Sequence, residues 1–124
     1  MKALQIDVIK PGVHIVDTVK FTDFYPLLNA SCFDIAYRKI GTNGVRYDIY
    51  CDDEGWLKDH PIISAVDSNT KPMLVGNLVV TRSDEHGEQI DLTDDDINYL
   101  YDHLRTATNF YYGTEYPVLI EVNY

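Results

Sequence analysis

The sequence predicts an α+β fold, a mostly antiparallel sheet of about five to six strands with a clear helix over about 93–108 and a short one over about 22–30. Three observations carry that prediction. Apolar and polar residues alternate with period two in short runs separated by Gly- and Pro-containing turns. One segment, beginning at Thr93, joins a helix cap to helical spacing of apolar residues. Predicted strands follow one another directly, which disfavours alternating βαβ units. With 124 residues and 45% apolar content, the chain reads as a single domain (1–124) able to bury a core despite a net charge of −10.

The first strand is Lys2–Ile9, with Leu4, Ile6 and Val8 on one face and Gln5 and Asp7 on the other. Lys10-Pro11-Gly12 turns the chain, and Val13–Val19 returns as a second strand. Within Thr22–Ala30, Phe24, Leu27 and Leu28 have helical spacing, and Pro26 restricts that helix to a short one. Phe33, Ile35 and Tyr37 then alternate with Asp34, Ala36 and Arg38; Asn43-Gly44 makes the hairpin turn; Val45, Tyr47, Ile49 and Cys51 follow in alternation. If both apolar sets face one core, Cys51 lies with Phe33 and Cys32 lies on the other face, so no disulfide is expected.

Asp53 to Pro72 reads as a long irregular segment, and loops of that length in a compact domain lean towards function. Met73–Thr81 is apolar on both faces and suits one central strand interrupted at Gly76-Asn77. An exposed turn, Asp84–Glu88, follows. Thr93 can cap a helix while Asp96 reciprocates from the third position, and Leu92 and Ile97 staple the entry. Ile97, Leu100, Tyr101 and Leu104 form the core-facing stripe, and His103 and Arg105 sit near the end, where the dipole favours cations. The last strand is Pro117–Tyr124, at an edge or beginning at its proline.

Charge is unevenly divided. Residues 1–46 carry four acids and six bases, whereas 47–124 carry sixteen acids and four bases. Between Asp84 and Asp102 there are eight acids and no Lys or Arg. Such a field repels nucleic-acid and membrane phosphates and favours a basic protein surface. No apolar run approaches the ~20 residues of a membrane span, and the first residues lack the apolar centre of a signal peptide, so the expected address is cytoplasmic. Cys32 and Cys51 fit that address as ordinary thiols.

Few residues suggest chemistry. The Asp94-Asp95-Asp96 spacing does not match a calcium loop, and the four histidines have no zinc-like spacing, so neither a metal nor a cofactor is expected. There is no phosphate-cradling Gly-rich loop and no nucleophile motif. Trp56, Asp59 and His60 are the only place where an acid, an imidazole and an aromatic share one loop. The tail 106–124 is rich in tyrosine, including Tyr111 and Tyr112, and reads either as cover for one end of the sheet or as an aromatic contact patch.

The order of motifs resembles the domain-of-unknown-function family numbered 3846, over roughly residues 1–105. The resemblance rests on Tyr47-Asp48-Ile49-Tyr50-Cys51-Asp52-Asp53-Glu54-Gly55, then Val75-Gly76-Asn77-Leu78-Val79-Val80, then Leu92-Thr93-Asp94-Asp95-Asp96-Ile97. The family's usual Leu-Pro-Pro-Asn-Arg-like stretch is replaced here by Leu57-Lys58-Asp59-His60-Pro61-Ile62. The resemblance implies a small accessory protein of bacteria, their phages or mobile elements and implies no activity.

Together these observations lead to the expectation of a non-enzymatic binding module. It would present Asp84, Glu85, Glu88, Asp91, Asp94, Asp95 and Asp102, with neighbouring Tyr111 and Tyr112, to a basic protein surface. In its concrete form the module is an inhibitor that imitates nucleic acid towards a host defence or DNA-processing protein. The residues leave two alternatives open: a small enzyme or ligand-binding protein using the 53–72 loop, and a homo-oligomer joined through the C-terminal strand.

Overall fold

The protein is described by a computed structural model covering residues 1–124. Two sheets, where one was expected, share its strands. The chain runs β1 (Lys2–Asp7), β2 (Gly12–Asp17), a 3-10 turn (Phe21–Asp23), α1 (Phe24–Leu28), β3 (Phe33–Ile40) and β4 (Arg46–Asp52). After a second 3-10 turn (Gly55–Leu57) come β5 (Ile63–Val66), β6 (Pro72–Val75), β7 (Leu78–Ser83) and β8 (Gln89–Ile90). The last elements are α2 (Asp94–Asp102), β9 (Leu104–Asn109), β10 (Thr114–Leu119) and β11 (Val122–Asn123). A seven-stranded antiparallel sheet has the order β11-β3-β4-β7-β1-β2, with β8 beside the end of β7; a four-stranded sheet has the order β6-β5-β10-β9. Within the smaller sheet β10 and β5 are parallel.

The expected count of five to six strands falls short for identifiable reasons. Gly76 adopts φ +76°, which divides Met73–Thr81 into β6 and β7 and sends them to different sheets. Ile63–Val66, inside the supposed loop, is a strand between β6 and β10. The helix ends at Asp102, because Leu104–Asn109, with β-branched Thr106 and Thr108, pairs along its whole length with β10. Of the predicted stripe, Ile97 and Leu100 are buried, Tyr101 is exposed and Leu104 belongs to β9. The terminal strand is also two: Pro117–Leu119 ends β10 in the interior of the small sheet, and β11 pairs with β3 at the edge of the large one. Of the two parts of the expected C-terminal strand, only β11 leaves an outer side for strand addition by a second copy.

The β3–β4 register also differs from expectation. Ile35 lies opposite Tyr50 and Ala36 opposite Ile49, so the Phe33-Ile35-Tyr37 set and the Tyr47-Ile49-Cys51 set face opposite sides of the sheet. Both faces are covered, which is why each strand can be apolar on a different side. The larger core lies between the sheets and includes Leu4, Ile6, Tyr47, Ile49, Leu78, Val80, Leu100, Leu119 and Val122. Across the large sheet, α1 packs Phe24 and Leu28 on Ala3, Tyr50 and Val79, with the Phe24 and Tyr50 rings stacked 3.9 Å apart. Cys32 is exposed and Cys51 buried, both as free thiols, and burial pushes the Cys51 thiol up to about 11.

Antiparallel pairing sends every turn of the large sheet to one of two ends. Met1, the 41–45 turn, the 84–88 turn and the start of α2 lie at one; residues 8–11, 52–58 and Gly76 lie at the other. The β9–β10 hairpin brings its tip, 109–114, to the second end. Neither helix is long and apolar enough to cross a membrane.

Candidate functional site

At the second end lies a cleft of about 490 Å³ built from four separate pieces of chain. Val8 and Ile9 leave β1; Asp52, Gly55 and Lys58 to Ile62 follow β4; Gly76 joins β6 to β7; Asn109, Tyr112 and Thr114 come from the hairpin tip. Buried Asn77 fixes the floor, accepting from Val8 N at 2.9 Å and donating to Leu27 O at 3.2 Å. Gly76 N donates to Ile62 O at 2.8 Å, tying the floor to the wall. Gly55 packs against Val75 so closely that a Cβ there would lie 2.7 Å from Val75 Cγ2.

Polar groups are few and placed. Asp52, its side chain 6% exposed, accepts from Glu54 N at 2.9 Å and pairs with Lys58 Nζ at 2.5 Å. His60 takes a left-handed backbone conformation, φ +53°, and its ring lies 3.8 Å from that of Tyr111. Asn109 Oδ1 accepts from Tyr111 N at 3.0 Å and holds the tip of the hairpin. No hydrogen bond joins Asp59 to His60, so the pair is not arranged as an acid and its base.

The sequence candidates divide between the two ends. Asp59, His60 and Tyr112 line the cleft and Tyr111 stacks on its rim, whereas Trp56 is exposed on the same loop without lining it. Tyr111 and Tyr112 are therefore not neighbours of the acidic run, because β9 carries the chain back across the molecule after α2. Sequence reading missed Val8, Ile9 and Asn109 altogether, since they meet only where the end of β1 in the large sheet and the β9–β10 tip of the small one come to the same end of the molecule. Asp52 and Lys58 stand in the sequence only as members of the family-like stretches, and nothing in their spacing indicates an ion pair.

At the first end, most acids have structural employment. Asp84 Oδ1 accepts from His86 N at 2.9 Å and Glu88 N at 3.0 Å. Asp91 accepts from Lys2 N at 2.7 Å, and Asp94 pairs with Lys2 Nζ at 3.3 Å. Thr93 and Asp96 form the expected capping box: Thr93 Oγ1 accepts from Asp96 N at 3.0 Å, and Asp96 Oδ2 accepts from Thr93 N at 2.9 Å. Buried Asp96 also receives Arg82 Nη1 at 3.0 Å on both oxygens and the Tyr47 hydroxyl at 3.1 Å. Burial by itself raises the Asp96 pKa, but the donors from Thr93, Arg82 and Tyr47 outweigh it and hold the carboxyl below its ordinary value. Burial, helped by that carboxylate, pushes the Tyr47 hydroxyl up to about 12. Glu85, Glu88 and Asp95 remain exposed, and Asp102 is exposed at the far end of α2, away from the others.

No three His, Cys, Asp or Glu side chains converge to hold a metal ion. One family model, described as "Domain of unknown function (DUF3846)", matches residues 1–105. No curated protein and no solved structure matches the chain.

Proposed function

The chain belongs to the DUF3846 family, and from that membership, which carries no activity, we propose that it is a non-catalytic binding module whose recognition element is the cleft. The observation that supports this reading is the cleft itself. At about 490 Å³ it falls within the ~300–1,000 Å³ typical of small-molecule sites, and it joins an apolar floor to a few fixed polar groups. An amphipathic ligand would lay its apolar body on Val8, Ile9 and Ile62 and turn its polar group towards Lys58 and Asn109. Amide shifts in labelled protein, titrated with a panel of small aromatic amphiphiles, test this. Binders should move Val8, Ile62 and Tyr112 together and lose their effect in Ile9→Arg. A panel that moves none of them overturns the reading.

A second reading has its own observation. Glu88 and Asp95 face solvent without a cation and Glu85 has only the His86 imidazole, at 3.6 Å, in the part of the chain that carries sixteen acids and four bases. That end would dock on a basic protein, in the concrete case replacing nucleic acid in the cationic groove of a defence or DNA-processing protein met by a phage or mobile element. Long-range charge attraction of this kind raises association rates and falls steeply with salt.

A further inference from the structure

We propose that the acidic end contains a socket for one arginine side chain of a basic protein partner, floored by the carboxylate of Asp48. The inference rests on the second reading above and is independent of the cleft.

Asp48 lies in the middle of β4, 3% exposed, between β3 and β7. A buried carboxylate ordinarily collects several donors, because its two oxygens together offer about four acceptor positions. Asp48 has one: the hydroxyl of Ser83, which donates to Oδ2. Thr81 Oγ1, directly opposite, donates to the Asp48 backbone carbonyl at 3.0 Å and leaves the carboxylate alone. Oδ1 is left without a donor. The residue lines a notch of about 290 Å³ whose walls carry Arg46, Arg82, Asp84 and Glu85 and whose lip is Gly44. A Cβ at Gly44 would meet nothing within 4 Å, so the entrance is open.

Arg46 is the internal cation placed to fill the notch. Its guanidinium instead lies over the Tyr37 ring, 5.0 Å from the centroid, and makes no ion pair with Asp48. The other nearby cation, Arg82, is on the opposite face of β7 and committed to Asp96. Three acids thus line the notch with two arginines, one laid on Tyr37 and the other committed to Asp96, and the deepest acid has an unused oxygen.

The geometry selects the ligand class. A metal ion needs several converging oxygens, whereas Asp84 Oδ1 is already spent on two backbone amides. A guanidinium is flat, weakly hydrated and forked: one N–H would reach Asp48 Oδ1 and another Ser83 Oγ, with the charges of Asp84 and Glu85 at the mouth. An ammonium is more strongly hydrated and lacks the fork, so lysine should enter less well.

The test is fluorescence anisotropy with a labelled, blocked peptide of alternating arginine and glycine, alongside its lysine counterpart, at low and high salt. Peptide binding should weaken at least about tenfold in Asp48→Asn, as expected when a buried charge pair loses its charge. Asn retains the shape of the floor and can still accept from Ser83, and a thermal melt confirms that the variant is folded. Asp94→Asn, at the same end but outside the notch, should change binding by less than about twofold, as a screened rim charge does. The lysine peptide should bind the parent more weakly than the arginine peptide. If Asp48→Asn binds as the parent while the double variant Asp84→Asn, Glu85→Gln does not, the socket is wrong and the acidic docking surface stands. Absence of binding to either peptide at low salt overturns both.

Discussion

The two ends of the large sheet use the same strands and differ in how their side chains were recruited. The acidic end is local in part: a turn carboxylate holds amides two and four residues on and a capping box starts α2, while Asp91 and Asp94 meet Lys2 from the far end of the sequence. The cleft end is wholly non-local, with walls from residues 8 to 114 brought together by the fold. An acid-rich stretch therefore looks functional in sequence and is largely explained by the structural contacts its carboxylates make, whereas an ordinary-looking set of Val, Ile, Asn and Thr residues becomes a cavity. Conspicuous composition and site geometry are separate properties.

The comparison is broken most severely by removing the tail. Residues 106–124 lie beyond the family match, yet β10 joins β5 to β9, and Leu119 and Val122 are fully buried in the larger core. Each such side chain contributes on the order of 2–5 kcal/mol by truncation, and a domain has only about 5–15 kcal/mol in total. A chain ending at Arg105 is expected to show no cooperative thermal unfolding. If it melts cooperatively, the tail is an appendage and the cleft is not part of the folding unit.

A smaller loss separates structural from surface acids. Asp96→Ala leaves Arg82, the Tyr47 hydroxyl and the Thr93 amide without their acceptor, and breaking a buried pair in this way costs about 3–5 kcal/mol. Chemical denaturation at neutral pH measures it. Because the folded Asp96 pKa lies below its unfolded value, this stabilisation is present above the unfolded value, near pH ~4, and is lost as pH falls through the folded one. Tyr47 has the opposite sign: raised to about 12, it contributes stability that is full below the unfolded value of ~10 and disappears as pH approaches 12. A gap between parent and Asp96→Asn that persists unchanged in acid would show that the carboxylate charge is not what stabilises this end.

Legibility followed the same division. The start of α2, the short helix at Phe24 and the β3–β4 hairpin were readable because their signals lie within a few residues: a cap, a stripe, an Asn-Gly turn. What was not readable depended on partners. The β3–β4 register required knowing that α1 would cover one face, and the β6/β7 division required the positive φ at Gly76 to be read as a change of sheet. Of the cleft, the loop residues Asp59 and His60 were in view, but Val8, Ile9 and Asn109 carry no local mark. Asp48 did carry one, an acid in mid-strand with apolar residues on both sides, and it passed unnoticed as the polar half of an alternation.

The smallest expected effect tells most about the remaining acids. Asp95 is exposed in the first turn of α2, where a carboxylate favours the helix dipole by at most about 1 kcal/mol. It also stands among Asp91 and Asp94 in a chain of net charge −10, so repulsion opposes the dipole. The dipole term stabilises and the repulsion destabilises; salt screens both, and the repulsion, summed over several neighbouring acids, is the larger. The parent should therefore gain stability as salt rises, and Asp95→Asn, slightly more stable than the parent at low salt, should gain less. At the cleft end, Asp59 stands apart from the acidic run, beside Lys58 whose ammonium pairs with Asp52, so the salt response of Asp59→Asn should stay close to the parent. Parallel melts of the three proteins across a salt series decide the matter. If Asp95→Asn and Asp59→Asn respond alike, the two ends share one diffuse field and the acidic end has no electrostatic identity of its own.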